Sequence, residues 1–229
     1  MPPQQPSGTR TFNGLLSTFT SFLTIFIHEL LYLRNLYSAT SFQLARAYNT
    51  PVHQNRHPKL CQWINDAVAA VHTQLLSCTV ARIAVVIYSA DSKPLERYVL
   101  DVSRFPVVDR RDREREFIHE GEEEEEGPEW LEGLGPADLE EQLRATLLRL
   151  GGSIGKLHPL PEDEGEECTF SLALEIKDEE GEPLQPPTKH PQPWIPVEPN
   201  EQVSGRGKER RNVGPTNRRL VEPINLMLG

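Results

Sequence analysis

The stretch LLSTFTSFLTIFIHELLYLRNLY, residues Leu15 to Tyr37, decides the fold because it is the longest strongly apolar run of the chain. As a helix it makes about six turns, and apolar side chains cover most of its circumference. A narrow polar stripe at helical spacing remains, consisting of Ser17, Ser21, Thr24, His28 and Asn35. A helix with so little polar surface is buried on several sides, so we predict that the other elements pack around it.

The same stretch is long enough to cross a membrane. It contains His28, Glu29 and Arg34, and a charge at the centre of a bilayer costs several kcal/mol. It also lacks the short apolar core and small-residue cleavage site of a signal peptide. We therefore interpret it as the central helix of a soluble domain and expect no membrane partner.

The net charge of −10 is concentrated in one segment. Residues 109–133 carry twelve Asp or Glu and four Arg, a balance of −8, which leaves only −2 for the rest of the chain. The net charge therefore indicates little about partners.

Cys61, Cys78 and Cys168 show no CxxC spacing, which indicates a reducing compartment without structural zinc. With no targeting signal at the N-terminus, we expect the cytosol or the nucleus.

Hydrophobic periodicity predicts four further regions of regular structure after the first helix. These are a second helix from Pro58, a hairpin of residues 81–88 and 95–103, a third helix near 137–150 that ends at Gly151-Gly152, and a strand over 168–177. The polar residues between the first two helices, ending at residues 48–52, are interpreted as an irregular connection. The order predicts an α+β fold in which three helices cover a small, mostly antiparallel sheet.

Composition divides the chain into three parts. Residues 1–11 are predicted to be a disordered N-terminus, residues 12–177 form the core with an acidic insert at 107–134, and residues 178–229 form a C-terminal segment. The C-terminal segment holds nine of the 20 prolines and two apolar runs, at 193–197 and 220–228. Composition alone is typical of a disordered tail, whereas the two apolar runs favour an extended segment held on a surface at two points.

The motif Gly-Gly-Ser-Ile-Gly at residues 151–155 matches the nucleophile elbow of hydrolases. That elbow requires a turn from a strand to a helix, and here the motif follows a predicted helix. A helix end is therefore favoured over a hydrolase that uses Ser153. A phosphate-binding loop ending at Lys156 is excluded because Leu157 stands where a Ser or Thr would bind magnesium. We predict no catalytic residues and no cofactor.

His53, His57 and Cys61 are spaced four residues apart and could bind a metal ion from one helix. Pro58 disfavours helix at His57, so a solvent-exposed connection without a metal is the preferred interpretation. His28, on the polar stripe, is interpreted as a buried, hydrogen-bonded histidine rather than a catalytic base.

Two charged tracts could bind partners directly. The run Glu122 to Glu126 is flanked by glycines and is interpreted as a solvated loop. Six arginines and lysines lie between residues 206 and 219 and could contact nucleic acid or serve as an import signal. Glutamates at 201, 209 and 222 dilute their charge, so a solvated tail is favoured and direct DNA binding is disfavoured.

Several blocks resemble the HORMA-domain family, in particular the accessory subunits of translesion DNA polymerase zeta. The most specific blocks are FLTIFIHELLYLRNLY at residues 22–37 and YNTPV at residues 48–52. Further matches lie at 57–60, 63–64, 85–87, 141–145, 168–170, 193–195 and 219–221. The resemblance spans nearly the whole chain. It implies the HORMA fold, in which three central helices pack on a mostly antiparallel sheet and a C-terminal segment, the seatbelt, crosses the core.

The resemblance implies a non-enzymatic adaptor in the nucleus. In HORMA proteins a partner peptide is trapped beneath the seatbelt as an added strand, whose main-chain hydrogen bonds give affinity. The implied partners are a Pro-containing peptide of the catalytic subunit of DNA polymerase zeta, the Y-family translesion polymerase scaffold, and a second HORMA domain in a homodimer or heterodimer. Checkpoint, meiotic or double-strand-break repair signalling stays open as an alternative pathway.

The resemblance also assigns five residues. Trp63 and Trp194 match the aromatic walls of the peptide channel, with Tyr37 and Leu220 beside them, and Arg144 matches a position used in HORMA–HORMA dimers. The alternatives are a core residue for Trp63, a tail aromatic for Trp194 and a surface arginine for Arg144. The acidic insert has no counterpart in the family pattern. In longer family members a further seatbelt strand contributes to the scaffold interface, whereas this sequence ends two residues after Met227.

Overall fold

The computed structural model describes residues 11–115, 136–160, 168–177 and 224–227. These residues form three α-helices and six β-strands in two sheets. The helices are α1 (Phe12–Leu33), α2 (Pro58–Leu75) and α3 (Pro136–Ile154), and the strands are β1 (Phe42–Ala47), β2 (Thr50–Asn55), β3 (Val80–Tyr88), β4 (Pro94–Asp101), β5 (Thr169–Ile176) and β6 (Ile224–Met227). The predicted α+β class is confirmed.

Helix α1 is the central helix, as predicted. The Thr11 side chain accepts a hydrogen bond from the Gly14 amide at 3.1 Å and begins the helix, which is the role of a good N-cap residue. The helix ends at Leu33, and Asn35 takes a positive φ of 51°, as is common just past a helix. By length and composition α1 could cross a membrane, but 61% of the apolar window that passes this test is buried inside the domain. It is therefore placed as a core helix.

Helices α2 and α3 bury the faces that their spacing predicts. The buried apolar residues are Leu60, Ile64, Val68, Val71 and Leu75 on α2 and Leu139, Leu143, Leu147 and Leu150 on α3. The predicted end of α3 at Gly151-Gly152 is wrong, because the helix continues to Ile154. Ile154 is buried in the core, and its burial favours the additional turn despite the poor helix propensity of glycine.

The larger sheet has the strand order β5-β3-β4-β6. Strands β5, β3 and β4 are antiparallel neighbours, and β6 pairs parallel with β4. One face of the sheet packs on the helices through Ile83, Val85, Ile87, Tyr98 and Leu100. The other face carries a smaller apolar cluster of Ala84, Val86 and Val99. The mostly antiparallel sheet predicted from the sequence is therefore confirmed.

The polar connection after α1 is not irregular, and that prediction is wrong. Residues 42–55 form the antiparallel hairpin β1–β2. Tyr48 and Asn49 at its turn have positive φ values of 47° and 56°, and two consecutive residues with φ above zero match the right-handed twist of a two-residue hairpin. The strands FQLARA and TPVHQN contain few β-branched residues, so local propensity gave a weak signal.

Polar side chains of α1 bind the outer edge of β2. Glu29 Oε2 accepts a hydrogen bond from the His53 amide at 2.6 Å, and His28 Nδ1 accepts one from the Asn55 amide at 3.4 Å. Pro51, the preceding residue on that edge, has no N–H to satisfy. The His53 ring also stacks on Tyr32 with 3.4 Å between ring centroids. The expectation that His53 lies in a solvent-exposed connection is therefore wrong.

A buried ion pair joins α1 to β4. Arg34 donates to Glu96 through Nε at 2.9 Å and Nη2 at 2.5 Å, and the same Nη2 donates to the His158 carbonyl at 2.9 Å. The Tyr98 hydroxyl donates to Glu96 Oε2 at 2.7 Å. Burial, together with this hydrogen bond to Glu96, raises the pKa of Tyr98, so the hydroxyl keeps its proton. The group links the end of α1, strand β4 and the residues that follow α3.

We expect Glu96→Gln to lower the free energy of unfolding by about 3–5 kcal/mol, because it leaves the Arg34 charge buried without a carboxylate. Urea denaturation monitored by circular dichroism measures this change. Asp91→Asn, which removes the exposed ion pair with Lys93, is the matched control and should cost less than about 1 kcal/mol. Equal losses in the two variants would contradict the role of the buried pair.

His28 should make stability depend on pH. Burial lowers its pKa below the ordinary value, so the folded state binds a proton less readily than the unfolded state. Full stability is present above the unfolded pKa of about 6.5, and stability is lost as the pH falls from there toward the folded pKa. His28→Gln keeps an acceptor for the Asn55 amide and removes the titration. We expect this variant to lose less stability between pH 7 and about pH 5; identical slopes would contradict the assignment.

Candidate functional site

The outer edge of β5 presents backbone groups to which another strand could bind. The Ala81 carbonyl accepts from the Val102 amide at 2.9 Å, so alternation along β3 directs the Arg82, Ala84 and Val86 backbone toward β5. Their partners in β5 are Glu175, Ala173 and Ser171. The backbone groups of Phe170, Leu172 and Leu174 consequently point away from β3, to an edge where no strand of the described residues lies.

An aromatic pair lies beside this edge. Trp63 on α2 meets Phe170 on β5 in an edge-to-face contact, with 4.9 Å between ring centroids and 76° between planes. Both side chains are half-buried and pack against the main core. Trp63 therefore combines its core contact with a partly accessible surface next to the outward backbone of β5. Aromatic anchors of this kind contribute strongly to interfaces.

Phe170 is a candidate binding residue that the resemblance did not assign. The alternation of the predicted strand placed Phe170 on the same face as Leu172 and Leu174, and the structure places all three against the main core. What the sequence could not supply is the proximity of Phe170 to Trp63, since the two residues are separated by more than one hundred positions.

The other three residues assigned to peptide binding are not brought to this edge by the described contacts. Tyr37 lies just beyond α1 and is 38% exposed. Trp194 and Leu220 lie outside the described residues. Strand β6, close to Leu220 in sequence, occupies the opposite side of the sheet from β5, where Ile224 pairs with Tyr98. The roles of Tyr37, Trp194 and Leu220 stay predictions.

Arg144 lies in a cleft of about 520 Å³ between α3 and the β1–β2 turn. It forms an ion pair with Glu141 at 3.4 Å and is about 38% exposed. The cleft is lined by Arg46, Ala47, Tyr48, Asn49, Glu140, Glu141 and Arg144. Burial first, and then the Glu140 charge, raises the pKa of Tyr48 to about 12. The lining of the cleft includes two arginines and two glutamates, and the dimer role of Arg144 stays a prediction.

The residues considered for catalysis or metal binding do not assemble a site in the described ranges. Ser153 lies in the last turn of α3, not at a strand-to-helix turn, so the elbow geometry is missing there. Cys61 donates to the Asn55 carbonyl at 3.0 Å, and His57 is exposed just before α2. Within residues 11–115, 136–160, 168–177 and 224–227, no three His, Cys, Asp or Glu side chains form a group that could hold a metal ion.

The sequence of this chain is similar to that of a known domain family and to several known proteins. The sequence model of the HORMA-domain family matches residues 16–192 of this chain. The chain belongs to the HORMA-domain family. The DNA polymerase zeta processivity subunit of Schizosaccharomyces pombe is 32% identical over 163 residues, which are 71% of this chain and 69% of that protein. The protein of the same name from Arabidopsis thaliana is 25% identical over 181 residues, 79% of this chain and 71% of that protein.

Animal relatives match over a shorter range. The human mitotic spindle assembly checkpoint protein MAD2B is 33% identical over 87 residues, 38% of this chain and 41% of that protein. Among solved structures, a chain of the mitotic checkpoint complex superposes with a TM-score of 0.58 at 16% identity, covering 82% of each chain. Caenorhabditis elegans HTP-2 bound to an HTP-3 closure motif gives a TM-score of 0.51 at 13% identity, covering 79% of this chain and 73% of HTP-2. These structures support the shared HORMA fold.

Proposed function

We propose that this HORMA domain is a non-enzymatic adaptor of translesion DNA synthesis. It binds a Pro-containing peptide from the catalytic subunit of DNA polymerase zeta beneath residues 178–229 and links it to other translesion factors, including the Y-family polymerase scaffold. The observation that carries the proposal is the outer edge of β5 beside the Trp63–Phe170 pair. The names of the fission yeast and Arabidopsis relatives support the pathway.

The edge of β5 suits a bound peptide for two reasons. The outward amides and carbonyls of Phe170, Leu172 and Leu174 can continue the sheet by one strand, which gives affinity that depends little on sequence. A side chain of the added strand on the helix-facing side would reach the half-buried Trp63 and Phe170 rings, which gives specificity. Proline in the peptide is tolerated wherever its nitrogen faces away from β5, because no hydrogen bond is lost there.

The position of β6 supports the proposal that the C-terminal segment encloses the peptide. The chain leaves the larger sheet after β5, at one edge, and returns to it at β6, which lies at the opposite edge beside β4. We therefore propose that the intervening residues 178–223 pass over a peptide bound at the edge of β5. A connection that has to rearrange before the peptide can leave would act mainly on the dissociation rate. A polymerase adaptor of this kind would act in the nucleus.

A second candidate function keeps the same site and changes the pathway. The MAD2B relatives carry the name of spindle checkpoint proteins, so checkpoint, meiotic or double-strand-break repair signalling is the alternative. Affinity purification of the full chain followed by mass spectrometry distinguishes the two. Recovery of the polymerase zeta catalytic subunit supports the translesion function. Recovery of a checkpoint or meiotic-axis protein without that subunit supports the alternative.

We expect Trp63→Ala to weaken binding of a synthetic Pro-containing peptide from the polymerase zeta catalytic subunit by about 30-fold, since truncating an aromatic anchor costs ~2 kcal/mol. Fluorescence anisotropy with labelled peptide measures the affinity. Gln62→Ala, at an exposed position on the same helix, should leave it unchanged. Circular dichroism establishes that each variant is folded. Unchanged binding by the double variant Trp63→Ala, Trp194→Ala would contradict the proposed channel.

Arg144→Glu tests the proposed HORMA dimer. The substitution places a third carboxylate beside Glu140 and Glu141, so a complementary surface on a second HORMA domain would be repelled. Sedimentation velocity of the full chain should show a shift from dimer to monomer, with peptide affinity retained. Leu148→Glu, at a strongly exposed α3 position, adds the same kind of charge elsewhere on the helix. If both variants and the wild type show the same oligomeric state in sedimentation velocity, a dimer through Arg144 is contradicted.

A further inference from the structure

Strand β1 presents a second open sheet edge. In the two-stranded sheet β1–β2, this edge lies opposite the edge of β2 that the polar side chains of α1 contact. The Arg56 amide donates to the Ser41 carbonyl at 2.8 Å, whereas the His53 and Asn55 amides are turned to α1. Alternation then pairs Gln43 and Ala45 with β2 and directs the backbone of Phe42, Leu44 and Arg46 outward. In the described part of the chain the small sheet contains β1 and β2 alone.

The two edges of this hairpin are treated differently. The edge of β2 is closed by Glu29, His28 and the missing N–H of Pro51, so it offers no free donors to another strand. The edge of β1 has no such protection by proline or by an inward-pointing charge, which are the usual means of blocking strand addition. Its central side chain, Leu44, is 71% exposed. An exposed edge strand that carries an apolar side chain is a template for pairing with another strand.

Charge indicates which partner fits. No Asp or Glu occurs between residues 30 and 65, although the whole chain carries −10. At the Phe42 end of β1, which faces Asn55, the following residues Arg56 and Lys59 are exposed cations. At the other end, Arg46 shares its cleft with Glu140, Glu141 and Arg144, where the charges balance. The edge is therefore positive at one end and neutral at the other.

We propose that the outer edge of β1 binds an extended acidic segment of a partner protein as an added strand, with an apolar side chain over Leu44 and a carboxylate beside Arg56 and Lys59. The site is separate from the β5 edge, and the proposal is independent of the function proposed above. A second copy of this chain is a poorer fit. Antiparallel pairing of two β1 strands centred on Leu44 would place Phe42 of one copy opposite Arg46 of the other, bringing Arg56 and Arg46 together, and like charges across strands are destabilising.

The test uses the full chain and a fluorescein-labelled peptide, Asp-Asp-Thr-Val-Thr-Val-Thr, with anisotropy as the readout. We expect binding that weakens as salt is added, and at least tenfold weaker binding of the matched peptide that begins Lys-Lys. A peptide N-methylated at alternate amides cannot donate to the β1 carbonyls and should also bind at least tenfold more weakly. This variant of the probe leaves the protein unchanged, so its result does not depend on the folding of a mutant.

Protein variants locate the peptide. Lys59→Glu should weaken binding at least tenfold, whereas Lys93→Glu, the same charge change on the exposed β3–β4 turn, should not. Leu44→Pro should abolish binding, because the Leu44 amide points outward and its loss removes no hydrogen bond to β2. Equal effects of Lys59→Glu and Lys93→Glu, or unchanged binding of the N-methylated peptide, would overturn the proposal. Loss of peptide binding in Trp63→Ala but not in Leu44→Pro would also overturn it, because the peptide would then lie at the β5 edge. A dimer of this chain that Leu44→Pro dissociates would overturn it as well, because β1 would then pair with a second copy.

Discussion

Burial of α1 requires that the buried polar side chains on it and at its carboxyl end find partners on neighbouring elements, because an unsatisfied buried polar group costs about 1–3 kcal/mol. Glu29 and His28 satisfy this requirement on the backbone of β2, and Arg34 does so on Glu96 of β4. The apolar remainder of the helix fills the core between α2, α3 and the sheet. The polar contacts thus fix which elements lie beside α1, while the apolar contacts supply most of the burial.

The sequence was most informative where the pattern is local. The spacing of leucines on α2 and α3 and the alternation in β3, β4 and β5 gave the elements and their buried faces, because those patterns follow directly from helix and strand geometry. The hairpin β1–β2 was missed because its stability comes from side chains of α1, twenty or more residues away. The end of α3 was misplaced since burial of Ile154, a tertiary effect, outweighed the local signal of two glycines.

The candidate site was predictable only in part. Resemblance pointed to Trp63, and alternation placed Phe170 on the core face of a strand. The site also needs an open sheet edge, and which strands lie at the edges follows from long-range pairing that periodicity does not encode. The same limit applies to the outer edge of β1, since its existence depends on a hairpin that local propensity did not reveal. Trp194 and Leu220 rest on resemblance alone.

The contact between Arg34 and its partners has a consequence for the order of folding. Arg34 is separated from Glu96 by 62 residues and from the His158 carbonyl by 124 residues. Both contacts require the closure of long chain loops, whose entropic cost must be met before the contacts can contribute. The contacts that hold the carboxyl end of α1 can therefore form only once β4 and the residues following α3 lie beside it, so this junction couples three distant parts of the chain.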